Sequence, residues 1–134
     1  MHVVFVYGTL RKGESNHHVI EGATLLEEYS WTSGELYDTG AGYPAMFESS
    51  ESVVYGEIYK VNDTILSRID VLEGFQVGRT ANLYERVIQT VQSKGNQYDA
   101  ITYIMKTRPS SFQRIDSGNW GEDKLDNDSK NGSV

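Results

Sequence analysis

The 134-residue sequence has no cysteine. Disulfides, thiolate metal sites and a cysteine nucleophile are therefore excluded, and the composition suits a reducing compartment. No basic segment followed by a long apolar stretch opens the chain. Neither a signal peptide nor a membrane span is expected, and the expected location is cytoplasmic. Positive charge is scarce: 12 Lys and Arg stand against 19 Asp and Glu, a formal net charge of −7. No basic patch stands out, so nucleic acid is not an expected partner. Internal repeats and linkers are absent as well, and only one segment has a convincing helical pattern. Sequons at Asn62, Asn127 and Asn131 carry meaning only in a secreted chain.

What remains is enough for one domain. A chain of this length buries roughly two thirds of its unfolded surface and needs no metal or disulfide to fold. Residues 3–6, Val-Val-Phe-Val, form an apolar, β-branched run suited to a strand buried on both faces. Tyr7-Gly8-Thr9 breaks that run. This is either an ordinary turn or a place where freed backbone N–H groups hold an anion.

A short helical turn is expected around residues 17–20. One or two strands are expected over residues 23–38, broken near Ser33-Gly34. Residues 39–44 read as a loop, 45–47 as a short strand and 53–61 as a strand. Then comes the helix, over about residues 63–73. Asn62 or Asp63 can cap it, Ile65, Leu66, Ile69 and Leu72 form its apolar stripe, and Gly74 supplies a stop. Residues 83–92 and 97–105 are expected to pair as a hairpin. Trp120 reads as a packing anchor, and residues 121–134 as a polar, disordered tail. With about six or seven strands to one main helix, the expected class is α+β, a small mixed sheet curled into a barrel beside that helix.

Glu73 is the residue out of place. Four positions after Ile69 and seven after Leu66, it falls near the apolar stripe. It also sits at the helix C-terminus, where the dipole disfavours negative charge. Both influences favour the neutral acid, the condition that suits a carboxyl for proton transfer near neutral pH. Alternatively the helix ends one residue early and Glu73 swings into solvent. Asp70 reads as a solvated or capping residue.

The other groupings are weaker. Residues 8–15 have the glycine spacing of a phosphate-binding loop, but Glu14 stands where its lysine is needed. His17 and His18 are adjacent and read as a surface pair rather than metal ligands. Tyr84, Tyr98 and Tyr103 line a pocket or simply pack in strands. Arg86 reads as the partner of a carboxylate.

Val6-Tyr7-Gly8-Thr9-Leu10, with Gly13 and Asn16, resembles the opening Y-G-[ST]-L motif of the γ-glutamylcyclotransferase-like proteins. Gly34-Glu35-Leu36-Tyr37, Tyr43-Pro44-Ala45, Val54-Tyr55-Gly56-Glu57-Ile58-Tyr59 and Ile69-Asp70-Val71-Leu72-Glu73-Gly74 follow in order. Tyr84-Glu85-Arg86, Ala100-Ile101-Thr102-Tyr103 and Ser117-Gly118-Asn119-Trp120 complete the series. The resemblance covers residues 1–120 and is strongest to the small bacterial and AIG2-like branch.

The resemblance implies a small β-barrel with a central cavity. It sets Glu73 opposite the Tyr7-Gly8-Thr9-Leu10 loop. Glu73 is then the expected catalytic general base and acid. Tyr7, Gly8, Thr9, Leu10, Asn16, Tyr43, Tyr84 and Tyr103 are the expected substrate-binding residues. The implied reaction is an acyl transfer within a γ-glutamyl amine or γ-glutamyl amino acid. The substrate's α-amine attacks its own γ-carbonyl, releasing 5-oxoproline and needing no metal or cofactor. A non-catalytic domain that binds a small carboxylate in the same cavity is the alternative. Neither a protein partner nor an oligomeric state is implied.

Overall fold

The computed structural model describes residues 1–121; the segment expected to form a tail lies, from residue 122 onward, outside the described residues. Among the described residues the main elements are eight strands and one long α-helix. They are β1 (His2–Val6), β2 (Thr24–Ser33), β3 (Glu35–Asp38), β4 (Pro44–Phe47), β5 (Val53–Val61), α1 (Asp63–Glu73), β6 (Glu85–Ser93), β7 (Asn96–Ile104) and β8 (Gln113–Arg114). A 3-10 turn, His17–Ile20, links β1 to β2. Among the described residues, no helix is long and apolar enough to cross a membrane.

Five strands close into a mixed barrel in the order β1-β5-β2-β6-β7. β1 pairs antiparallel with β5, Val6 lying opposite Glu57, and parallel with β7 at Val4 and Ile101. Both faces of β1 are covered, as its apolar run requires. Val4 and Val6 join a cluster that includes Val61, Ile65, Leu66 and Ile69, between barrel and helix. Phe5 points the other way, into a cluster with Val54, Ile58, Val91 and Ala100 that fills the barrel.

The remaining strands form a separate sheet, β4-β3-β8. The two-residue β8 is the one strand not expected, and it takes the count among the described residues to eight against about six or seven. β8 has almost no local pattern. It exists because Arg114 and Gln113 pair with Tyr37 and Asp38 far away in sequence.

Helix α1 begins where Asn62 caps it, Oδ1 accepting from Ile65 N–H at 2.8 Å. It ends on Gly74, whose φ of 65° is left-handed. Gly74 N–H bonds the Val71 carbonyl and Phe75 N–H the Asp70 carbonyl, which closes the last turn. Glu73 thus stays in the helix instead of swinging off an early terminus. Asp70 is neither solvated nor a cap. It accepts from the Tyr103 hydroxyl at 2.6 Å and pairs with Arg86 at 3.0 Å, tying α1 to β7 and β6.

His17 sits half-buried against the turn after β1, its Nδ1 2.8 Å from the Leu10 carbonyl, while His18 is exposed. Trp120 is buried and donates from Nε1 to Glu14 Oε1.

Candidate active site

β1 delivers the chain into a tight turn. Arg11 N–H donates to the Gly8 carbonyl at 3.1 Å and Asn16 N–H to the Thr9 carbonyl at 2.9 Å. The Asn16 side chain also donates to Thr9 Oγ1 at 3.0 Å. The carbonyls of this turn are thereby engaged. Among the described residues, the N–H groups of Gly8, Thr9 and Leu10 have no acceptor. Glycine is required at position 8 by close approach: a Cβ there would stand 2.6 Å from Pro44 Cγ.

The turn forms one side of a cavity of about 210 Å³. All nine residues singled out in the sequence line it: Tyr7, Gly8, Thr9, Leu10, Asn16, Tyr43, Glu73, Tyr84 and Tyr103. Phe5, Val6, Pro44, Leu72 and Leu83 complete the walls. Of these, Leu83 had no signal of its own. It lies against the Gly74 cap and is 53% exposed, visible only once the loop after α1 has folded back. Tyr98 is elsewhere, donating to Glu27 at 2.6 Å.

Glu73 lines this cavity. Among the described residues, its carboxyl makes no hydrogen bond and no ion pair. Burial alone pushes its pKa up to about 7. One helical turn away, Asp70 has both a phenol and a guanidinium to hold it.

The four tyrosines of the cavity divide into two kinds. Tyr7 donates its hydroxyl to the Tyr103 carbonyl at 2.6 Å and accepts from Met46 N–H at 3.2 Å. Tyr84 donates to the Pro44 carbonyl at 2.6 Å, and Tyr103 donates to Asp70. All three protons are committed to the protein, and burial pushes all three pKa values upward. These rings hold the walls together. Among the described residues, the Tyr43 hydroxyl has no partner.

The groups left to meet a ligand are therefore three backbone N–H donors, the Thr9 and Tyr43 hydroxyls, and the Glu73 carboxyl. Donors of the first kind suit a carboxylate or a developing oxyanion. The carboxyl with a pKa near 7 can both take and return a proton. Among the described residues, no three His, Asp or Glu side chains are grouped as a metal ion would need.

Known proteins are similar to this chain in architecture and sequence. The family described as gamma-glutamyl cyclotransferase, AIG2-like, matches residues 4–122. Gamma-L-glutamyl-butirosin B gamma-glutamyl cyclotransferase from Niallia circulans is 39% identical over 132 residues, covering 92% of this chain and 84% of that protein. YkqA from Bacillus subtilis has a TM-score of 0.78 at 31% identity; 97% of this chain corresponds to only 43% of that longer one. An AIG2-like protein from Mus musculus has a TM-score of 0.70 at 27% identity, with 82% of this chain and 80% of that one covered.

Proposed function

Because the chain belongs to the AIG2-like gamma-glutamyl cyclotransferase family, we propose that its cavity converts a γ-glutamyl amine or γ-glutamyl amino acid into 5-oxoproline and a free amine. The observation that carries this reading is one cavity lined by both the Glu73 carboxyl and the turn Gly8, Thr9 and Leu10, whose N–H groups, like that carboxyl, have no partner among the described residues. The Niallia circulans relative is named for a γ-glutamyl substrate. That name supports the same kind of substrate here. The cysteine-free composition supports a cytoplasmic setting.

In this reading the N–H groups anchor the substrate's α-carboxylate. Anchoring folds the chain so that the α-nitrogen sits near its own γ-carbonyl carbon, a near-attack geometry that supplies much of the rate. Glu73 takes a proton from the α-ammonium. The amine then attacks, closing the five-membered ring, and the bond to the leaving nitrogen breaks. The α-nitrogen loses two protons in becoming the lactam N–H. Both depart on the leaving amine, carried by Glu73. Tyr43 and Thr9 are the remaining donors for the γ-carbonyl oxygen as it gains charge. Tyr7, Tyr84 and Tyr103 contribute ring faces to the substrate and hydroxyls to the protein.

Incubating the purified protein with a panel of γ-glutamyl amines and γ-glutamyl amino acids tests this directly. Formation of 5-oxoproline, followed by mass spectrometry, is the expected result. Ligand-induced thermal stabilisation without any product would instead support a domain that binds small carboxylates.

A further inference from the structure

Glu57 is a buried carboxyl that the chemistry above does not use. It lies on β5 opposite Val6, beside the point where β1 gives way to the turn. Its side chain is 7% exposed and is not part of the cavity wall. Three donors converge on it from two directions. Oε1 accepts from Lys12 N–H at 2.9 Å and from the Tyr59 hydroxyl at 2.8 Å, and Oε2 lies 3.5 Å from Arg11 Nε. Arg11 then donates from Nη1 to Asn119 Oδ1 at 2.7 Å. Lys12 and Arg11 are the residues immediately after Leu10, so Glu57 grips the far end of the turn whose near end faces the ligand.

A negative charge behind a turn that receives an anion is unfavourable by itself. The Arg11 guanidinium offsets it. A carboxylate provides two acceptor oxygens, enough for all three donors. Glutamine at the same place offers one oxygen, adds an N–H₂ facing other donors and leaves Arg11 without its counter-charge.

We propose that Glu57 is the positioning residue of the anion-binding turn, fixing the N–H groups of Gly8, Thr9 and Leu10 through Lys12 and Arg11. It therefore acts selectively on the part of a ligand those groups hold, which rests on the cavity being the γ-glutamyl site. A merely structural carboxyl would affect all ligands alike.

The test is calorimetric titration of wild type and Glu57→Gln with two probes, 5-oxoproline and its carboxamide, which lacks the carboxylate. We expect the variant to lose about tenfold in affinity for 5-oxoproline and to keep its affinity for the carboxamide. Equal loss for both probes, or no loss for either, overturns the proposal. Should Glu57→Gln fail to fold, Tyr59→Phe takes its place. It removes one donor and keeps the charge, and it must show the same selective loss in smaller degree. Equal affinity of Tyr59→Phe and wild type for 5-oxoproline then overturns the proposal. Wild type that binds neither probe and forms no 5-oxoproline marks the failure of the underlying site reading, and this proposal falls with it.

Discussion

Asp70 and Glu73 stand one helical turn apart on α1 and meet opposite surroundings. Asp70 is held by the Tyr103 hydroxyl at 2.6 Å and by Arg86 at 3.0 Å, whose guanidinium also lies 4.7 Å over the Phe75 ring. Glu73 faces the cavity with no such partner, its pKa pushed to about 7. The first carboxylate fastens the end of the helix to β6 and β7. The second, unpaired among the described residues, is thereby presented to whatever the cavity holds.

Removing the fastening should therefore harm both stability and turnover. Asp70→Ala leaves Arg86 half-buried without its counter-charge and frees the Tyr103 hydroxyl. A loss of about 3 kcal/mol in chemical denaturation is expected, together with a lower kcat as Glu73 shifts. An Asp70→Ala variant as stable and active as wild type would show that the helix end holds itself.

The raised pKa of Glu73 makes stability depend on pH with a definite sign. An unfolded glutamate releases its proton near 4.5, whereas the folded one keeps it to about 7. Between those values the native state binds more protons than the unfolded state. Stability is thus fully present below about 4.5 and is lost as pH rises through about 7. Glu73→Gln should abolish this slope and exceed wild type at pH 8 by up to about 3 kcal/mol. Denaturation curves from pH 4 to pH 8 check it; parallel profiles for the two proteins would contradict it.

The cavity tyrosines should separate cleanly in mutagenesis. Tyr84→Phe and Tyr103→Phe each remove a hydroxyl that bonds the protein, so each should lower stability by about 1 kcal/mol. Tyr43→Phe removes a hydroxyl that bonds nothing among the described residues. It should leave the melting temperature unchanged and reduce kcat/KM. The reverse pattern, with Tyr43→Phe destabilising and kinetically silent, would remove Tyr43 from the ligand's contacts.

Gly8→Ala would set a methyl group 2.6 Å from Pro44 Cγ. Either the turn or the strand β4 must yield, at a cost of about 1–3 kcal/mol. Weaker binding of 5-oxoproline should accompany it, measurable by titration. A variant with unaltered stability and affinity would mean that Pro44 retreats freely.

The parts of this fold that were legible in the sequence are those with a local cause. Residues 3–6 read as a doubly buried strand because four apolar residues in a row have no polar face to turn outward. The helix was bounded by its own caps, Asn62 and Gly74. Glu73 stood out because a charge interrupted a 3.6-residue period. Asp70 misled because the same period puts it near the stripe's edge, and its partners come from strands 16 and 33 residues away. The β4-β3-β8 sheet was hidden for the same reason. So was the division among the tyrosines: which hydroxyls are committed depends on carbonyls of Pro44 and Tyr103 that only the closed barrel and the packing of the second sheet against it bring near.

One comparison bears most directly on Glu73 as proton carrier. Wild type and Glu73→Gln are incubated with the same γ-glutamyl substrate, 5-oxoproline formation is timed, and binding of 5-oxoproline is titrated in parallel. Glutamine keeps the shape of the side chain but can neither accept nor return the proton. The expected result is a loss of turnover by a factor of about 100 or more, with affinity retained. Turnover at the wild-type rate in Glu73→Gln would contradict the assignment and send the search for the proton carrier elsewhere in the cavity.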